Sequence, residues 1–96
     1  MTFVDTLEHA LADIPSIKRA RIGRRLTVGR QYDQQNPYKF PYAAILEFET
    51  EADLRAYLDH PAHHALGEQF YIASENALAF DFSLGDGNRA REILLA

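Results

Sequence analysis

A tyrosine and two histidines surround a proline in residues 57–63, the part of the chain best suited to chemistry. Pro61 fits the first turn of a helix but interrupts an existing one, so the spacing predicts one helical segment before it and another after it. Tyr57 and His63 would then face each other across the bend. The phenol can donate a hydrogen bond to a carbonyl group, and the imidazole, with an ordinary pKa of about 6.5, can remove a proton beside it.

The same residues also have a purely structural interpretation, in which Tyr57 packs its ring in the core and His63 caps or braces the bend. His60 directly precedes the proline, so we expect it to leave helical geometry and act as a cap, while it also remains a candidate ligand contact. His60 and His64 are four residues apart, but the bend disturbs the spacing that a metal pair needs. We therefore predict no metal site and no cofactor.

The composition indicates one small domain over residues 1–96. A hydrophobic fraction of 47% supports a real but limited core, which a partner subunit would extend. The net charge of -4 argues against a nucleic-acid partner. The absence of cysteine excludes disulfides and thiol chemistry. No apolar run approaches the roughly 18 to 20 residues that span a bilayer, and no signal-peptide layout is present. We expect a cytoplasmic protein without membrane contacts.

The pattern of apolar residues predicts helix, strand, strand, helix, strand. Thr2 and Asp5 form a capping pattern that starts the first helix, and alternation follows from residue 17 to 28. A polar loop over residues 29–38 leads to a strand at 39–49. Thr50 starts the second helical region, and a further alternating strand begins at Asn76. The fold class is α+β.

Apolar groups on both faces of the second strand predict that it is covered on two sides. Phe40 and Tyr42 lie on one face and Ile45 on the other, so helices and a second sheet are both needed. An identical sheet from another subunit is the simplest cover, which predicts a homodimer through sheet-to-sheet packing. Together, the three aromatic residues Tyr38, Phe40 and Tyr42 either line a ligand site or pack in the dimer interface.

A basic cluster lies on and after the first strand. It would either attract an anionic ligand or, as we favour, pair with acids such as Glu47 and Glu49 on the neighbouring strand. The cluster consists of Lys18, Arg19, Arg21, Arg24, Arg25 and Arg30.

The element Tyr57-Leu58-Asp59-His60-Pro61-Ala62-His63, with Ile45 to Thr50 before it and Phe80-Asp81-Phe82 after it, resembles the stress-responsive A/B-barrel (Dabb) family. The resemblance implies a ferredoxin-like antiparallel sheet with helices on one face, joined to a second subunit as a dimeric α/β barrel. Some relatives are plant polyketide cyclases that close a poly-ketone by aldol chemistry with the tyrosine and second histidine of this motif. Those roles would fall on Tyr57 and His63.

The chain departs from the family at its start, because the family begins with a strand and here a helix begins at Thr2. The missing strand is central in a ferredoxin-like sheet, so its loss leaves backbone groups unpaired. Our hypothesis is that Arg91 to Leu95, after a tight turn at Asp86 and Gly87, takes its place. The same segment of a partner subunit is one alternative, and a shortened gene product is another.

Three functions follow from these observations. The first is a small dimeric A/B-barrel protein that binds a hydrophobic small molecule, with His60, Tyr42 and Phe40 as candidate ligand contacts. The second is a cofactor-free, polyketide-cyclase-like lyase that uses Tyr57 and His63 as an acid/base pair. The third is a non-catalytic structural or stress-protective oligomer.

Overall fold

The computed structural model describes residues 2–73 and 76–95. Its order of elements is α1 (Phe3–Asp13), β1 (Arg19–Arg24), α2 (Gln31–Gln35), β2 (Tyr42–Glu47), α3 (Glu51–Asp59), α4 (Pro61–Ala73), a 3-10 turn (Gly87–Arg89) and α5 (Ala90–Leu95). The predicted first helix, first two strands and bent helical region are all present. The α+β class is therefore confirmed, with strands shorter than predicted.

Helix α1 begins where the capping pattern predicts. The Thr2 hydroxyl accepts from the Asp5 amide at 3.2 Å, and the Asp5 carboxylate accepts from the Thr2 amide at 3.1 Å. Ala10 on α1 is 0% exposed, Ile14 at its end 3%, and Leu66 on α4 8%; these three form the buried core. The core thus lies between the two helices, where an alanine allows them to approach closely.

The strands β1 and β2 form a two-stranded antiparallel sheet. Ala20 lies opposite Leu46 and Ile22 opposite Ala44, so the apolar faces predicted for the two strands lie on one side. One further backbone bond joins Arg25 to Pro41 at 2.7 Å. Proline carries no amide hydrogen, so it cannot donate to the ladder at this end of the sheet.

The opposite face of the sheet carries ion pairs. The Arg21 guanidinium lies 3.0 Å from the Glu47 carboxylate, Arg19 lies 3.8 Å from the same group, and Lys18 lies 2.9 Å from Glu49. The favoured interpretation of the basic cluster is confirmed for these three residues. Because all of the groups are solvent-exposed or partly so, each pair contributes at most about 1 kcal/mol.

The loop between the strands contains the short helix α2, which the sequence interpretation missed. One carboxylate oxygen of Asp33 accepts from the backbone amides of Val28, Gly29 and Arg30, at 2.8, 2.9 and 3.2 Å. Gly29 has a φ of 76°, a conformation that other residues rarely adopt. The acid in the first turn of α2 therefore fixes the chain that leads into it.

The prediction of a third strand from Asn76 is wrong for the single chain. Residues 77–86 form neither helix nor strand. A strand needs a neighbour for its backbone groups, and the described part of the chain offers no strand beside it. The alternating sequence is present, but no other strand lies beside it in the described part of the chain to pair with it.

The hypothesis that Arg91 to Leu95 fills the central position of the sheet is also wrong, because this segment is helix α5. Local contacts account for the helix. The Asp86 carboxylate accepts from the Asn88 amide at 2.7 Å, and Arg89 pairs with Glu92 at 3.0 Å. In residues 2–73 and 76–95, no helix is long and apolar enough to cross a membrane.

Candidate functional site

His60 links the two helices at the bend. Helix α3 ends at Asp59, His60 has extended geometry with φ -70° and ψ 139°, and Pro61 opens α4. The His60 carbonyl accepts from the His63 amide at 2.9 Å, and its ring Nδ1 accepts from the Ala62 amide at 3.0 Å. His60 caps the first turn of α4, which confirms its predicted structural role.

Tyr57 and His63 meet across this bend, as their spacing predicts. Their ring centroids are 4.6 Å apart, with the rings edge to face at 62°. Phe48, just after β2, also contacts Tyr57, with ring centroids 5.2 Å apart. Tyr57 also packs against the buried core of α1 and α4. The phenol is therefore held firmly, while the catalytic role of the two side chains stays a prediction.

Burial raises the pKa of the Tyr57 phenol above its ordinary value of 10.0, and the negative charge of Asp81 adds to this effect. Tyr57 consequently remains protonated at neutral pH and can donate a hydrogen bond. Asp81 lies in the extended segment of residues 77–84, which forms neither helix nor strand, and the sequence interpretation gave neither Asp81 nor Phe48 a role at this site. Their only signal was alternation, which placed each on a strand face without revealing its neighbours.

At high pH, Tyr57 should ionise above the ordinary tyrosine pKa of 10.0. Because folding favours the neutral phenol, its stabilising contribution is complete below about pH 10 and is lost as the pH rises through its raised pKa. Ultraviolet absorbance titration should show an ionisation above that pH which disappears in Tyr57→Phe and persists in the control Tyr71→Phe, at an exposed position. A Tyr57 ionisation at about pH 10 or below would contradict this result.

The ring of His63 carries an unsatisfied polar atom. Its Nδ1 is buried and has no hydrogen-bond partner among residues 2–73 and 76–95. Buried polar atoms are normally paired, so this nitrogen is suited to a hydrogen bond from a group outside the described chain. His64 is exposed. Within the same described ranges, no three metal-ligating side chains form a group.

Phe40 and Tyr42, the other candidate ligand contacts, lie elsewhere. They line an open groove of about 550 Å³ at the end of the hairpin, together with Arg24, Arg25 and Tyr38. Tyr57, His60 and His63 do not line this groove. The structure thus divides the predicted site residues into a cluster at the helix bend and an aromatic groove.

Comparison with known proteins gives one match. The family model for the stress responsive A/B barrel domain matches residues 2–84. The chain belongs to this family. Its fold is accordingly ferredoxin-like α+β, in a truncated form whose sheet has two paired strands in the described chain. No curated protein and no solved structure matches the chain significantly.

Membership of the A/B-barrel family gives the helix bend a context. The matched range includes α3, α4 and the extended segment that carries Asp81. The bend is therefore part of the family domain as well as a place where polar side chains meet. Fold membership by itself assigns no reaction to those side chains.

Proposed function

We propose that this A/B-barrel protein acts as a homodimer whose sheets pack against each other and enclose a hydrophobic small molecule. The observation that carries the proposal is the amount of exposed surface. The chain exposes 8287 Å², whereas a folded monomer of its mass exposes about 5,600 Å². Its radius of gyration is 15.7 Å, against about 12.5 Å for a compact chain of this length.

The exposed surface is strongly apolar in two places. In the extended segment the alternating residues are between 63% and 78% exposed; they are Leu78, Phe80, Phe82 and Leu84. On the sheet, Ile22 and Ile45 are about half exposed, one on each face. Monomeric proteins rarely leave such contiguous apolar surface in water, so a second copy of the chain is the natural cover. Members of this family are often dimeric, which supports the same arrangement.

Two aromatic side chains suit the enclosed ligand. Phe40 is partly buried and Tyr42 exposed, and both stand at the end of β2 where a second sheet would cover them. Apolar ligands bind in sites lined by aromatic groups with few polar contacts, which suits these two side chains. His60, the third candidate ligand contact, lies in the separate cluster at the helix bend and does not line the groove of Phe40 and Tyr42. A cytoplasmic location stays a prediction beside this proposal.

Binding of the neutral fluorescent probe N-phenyl-1-naphthylamine tests the enclosed site. We expect saturable binding to the dimer that is lost when the chains dissociate, because the proposed site is enclosed only when two sheets pack together. A dimer that binds no probe would instead support the non-catalytic structural oligomer. Binding of one probe per chain by a monomer would contradict the enclosed site.

A second candidate function is a cyclase-like lyase that works without a cofactor. Two features favour it: Tyr57 stays a protonated donor, and the buried Nδ1 of His63 has no hydrogen-bond partner among residues 2–73 and 76–95. Tyr57 would donate a hydrogen bond to a ketone oxygen and stabilise the enolate. His63 would take the proton from the adjacent carbon, and that carbon then attacks a second carbonyl of the same substrate chain. The attack breaks the π bond of that carbonyl and leaves an alkoxide, which takes the proton back from His63.

If the protein cyclises poly-ketone substrates, either Tyr57→Phe or His63→Ala should lower kcat by about 100-fold or more, because each removes a group used in the transition state. The rate of cyclised product measures the effect. The control Tyr71→Phe changes an exposed phenol and should keep full activity. Cyclisation that survives both substitutions at the bend would exclude their catalytic role.

A further inference from the structure

We infer that the groove at the end of the hairpin binds a small anion with an aromatic body, such as an aryl carboxylate. The inference goes beyond the proposed function, because it requires the ligand to carry a negative charge. One chain supplies the whole lining of this groove.

Five of the six cations of the basic cluster, all except Arg30, fall into two groups. Lys18, Arg19 and Arg21 each lie within 4 Å of a carboxylate on the neighbouring strand. Arg24 and Arg25 make no ion pair within residues 2–73 and 76–95, and both line the groove together with Lys39. Two guanidinium groups without a carboxylate partner in a protein of net charge -4 indicate a place where an anion is accepted.

The acid in the groove does not neutralise these cations. Asp33 also lines the groove, but one of its oxygens already accepts from three backbone amides. These bonds hold the pKa of the Asp33 carboxyl below its ordinary value, with a smaller contribution from the nearby positive charge of Arg25. The Asp33 carboxylate is thus held by the backbone of the loop, and the groove lining keeps an excess of positive charge.

Aromatic rings form the rest of the wall. The rings of Tyr38 and Phe40 have centroids 5.7 Å apart, and the guanidinium of Arg24 stands 5.9 Å from the centre of the Tyr42 ring. Arg25 is partly buried, and its guanidinium donates to the Tyr38 carbonyl at 3.3 Å. Stacking surfaces beside oriented guanidinium groups suit a flat ring that carries a carboxylate. A volume of about 550 Å³ accommodates such a molecule.

Two probes of nearly equal shape test the charge requirement. 2-Naphthoate carries a carboxylate and 2-naphthamide is neutral, so their affinity ratio isolates the contribution of the anion. We expect the wild-type protein to bind naphthoate at least about ten-fold more tightly than naphthamide, with amide NMR shifts confined to the groove. The ratio should fall as salt is added.

Matched variants separate the two groups of arginines. Arg24→Gln with Arg25→Gln should bring the affinity ratio close to one, whereas Arg19→Gln with Arg21→Gln, which removes the same charge from the paired group, should leave it unchanged. If the first double variant does not fold, Arg24→Gln alone serves, since its side chain makes no described hydrogen bond. Three results would overturn the inference. The first is equal affinity of the wild-type protein for the two probes, and the second is an equal fall of the affinity ratio in both double variants. The third is a set of amide NMR shifts confined to residues 76–84.

Discussion

If the chain forms the proposed homodimer, Phe82→Glu is expected to convert it into monomers. Phe82 is 77% exposed in the single chain, and its ring centroid lies 6.3 Å from that of Phe80. Full burial of a phenylalanine in an interface is worth about 3 kcal/mol, and an unpaired carboxylate in its place adds a desolvation cost. The dissociation constant should therefore rise by at least about 100-fold.

The neighbouring residue provides a matched control for this substitution. Ser83→Glu adds the same charge one position later, at an exposed residue, without removing an apolar side chain. It should leave the dissociation constant within a few-fold of the wild-type value. Equal effects of the two substitutions would show that charge on the segment, and not loss of the apolar contact, weakens association.

Leu66→Ala is expected to lower the free energy of unfolding by about 2 to 5 kcal/mol. Leu66 belongs to a buried cluster that contains only two other residues in the described chain, Ala10 and Ile14. Truncation removes apolar burial and leaves a cavity between α1 and α4. Because small domains are stable by about 5 to 15 kcal/mol, this change approaches the whole stability of the fold.

Urea unfolding followed by circular dichroism measures the loss. The control Leu94→Ala makes the same chemical change on α5, where the side chain is 78% exposed, and should shift the free energy of unfolding by less than about 0.5 kcal/mol. Similar losses in the two variants would mean that the α1–α4 contact does not hold the core.

The features that the sequence predicted correctly depend on local contacts. Thr2 and Thr50 accept hydrogen bonds from amides three residues later, and Pro61 must open a helix because it lacks an amide hydrogen. The meeting of Tyr57 with His63 follows from the same local geometry. These interactions involve neighbours within about six residues, so their spacing in the chain is enough to predict them.

The features that the sequence did not predict depend on distant or competing partners. Alternation from Leu78 to Leu84 suits a strand, but pairing requires a neighbour that the described chain lacks. The sequence from Ile93 to Leu95 is compatible with a strand or a helix, and the contacts of Asp86 and Arg89 favour the helix. The groove joins the ends of two strands with a loop, so its residues are brought together only by tertiary structure.

Sedimentation equilibrium of the purified full chain tests the homodimer most directly. We predict twice the mass of the 96-residue chain at high protein concentration, with dissociation to the single-chain mass only on dilution or in Phe82→Glu. That result is expected if the second copy covers the exposed apolar surface. A single-chain mass across the whole accessible concentration range would contradict the homodimer.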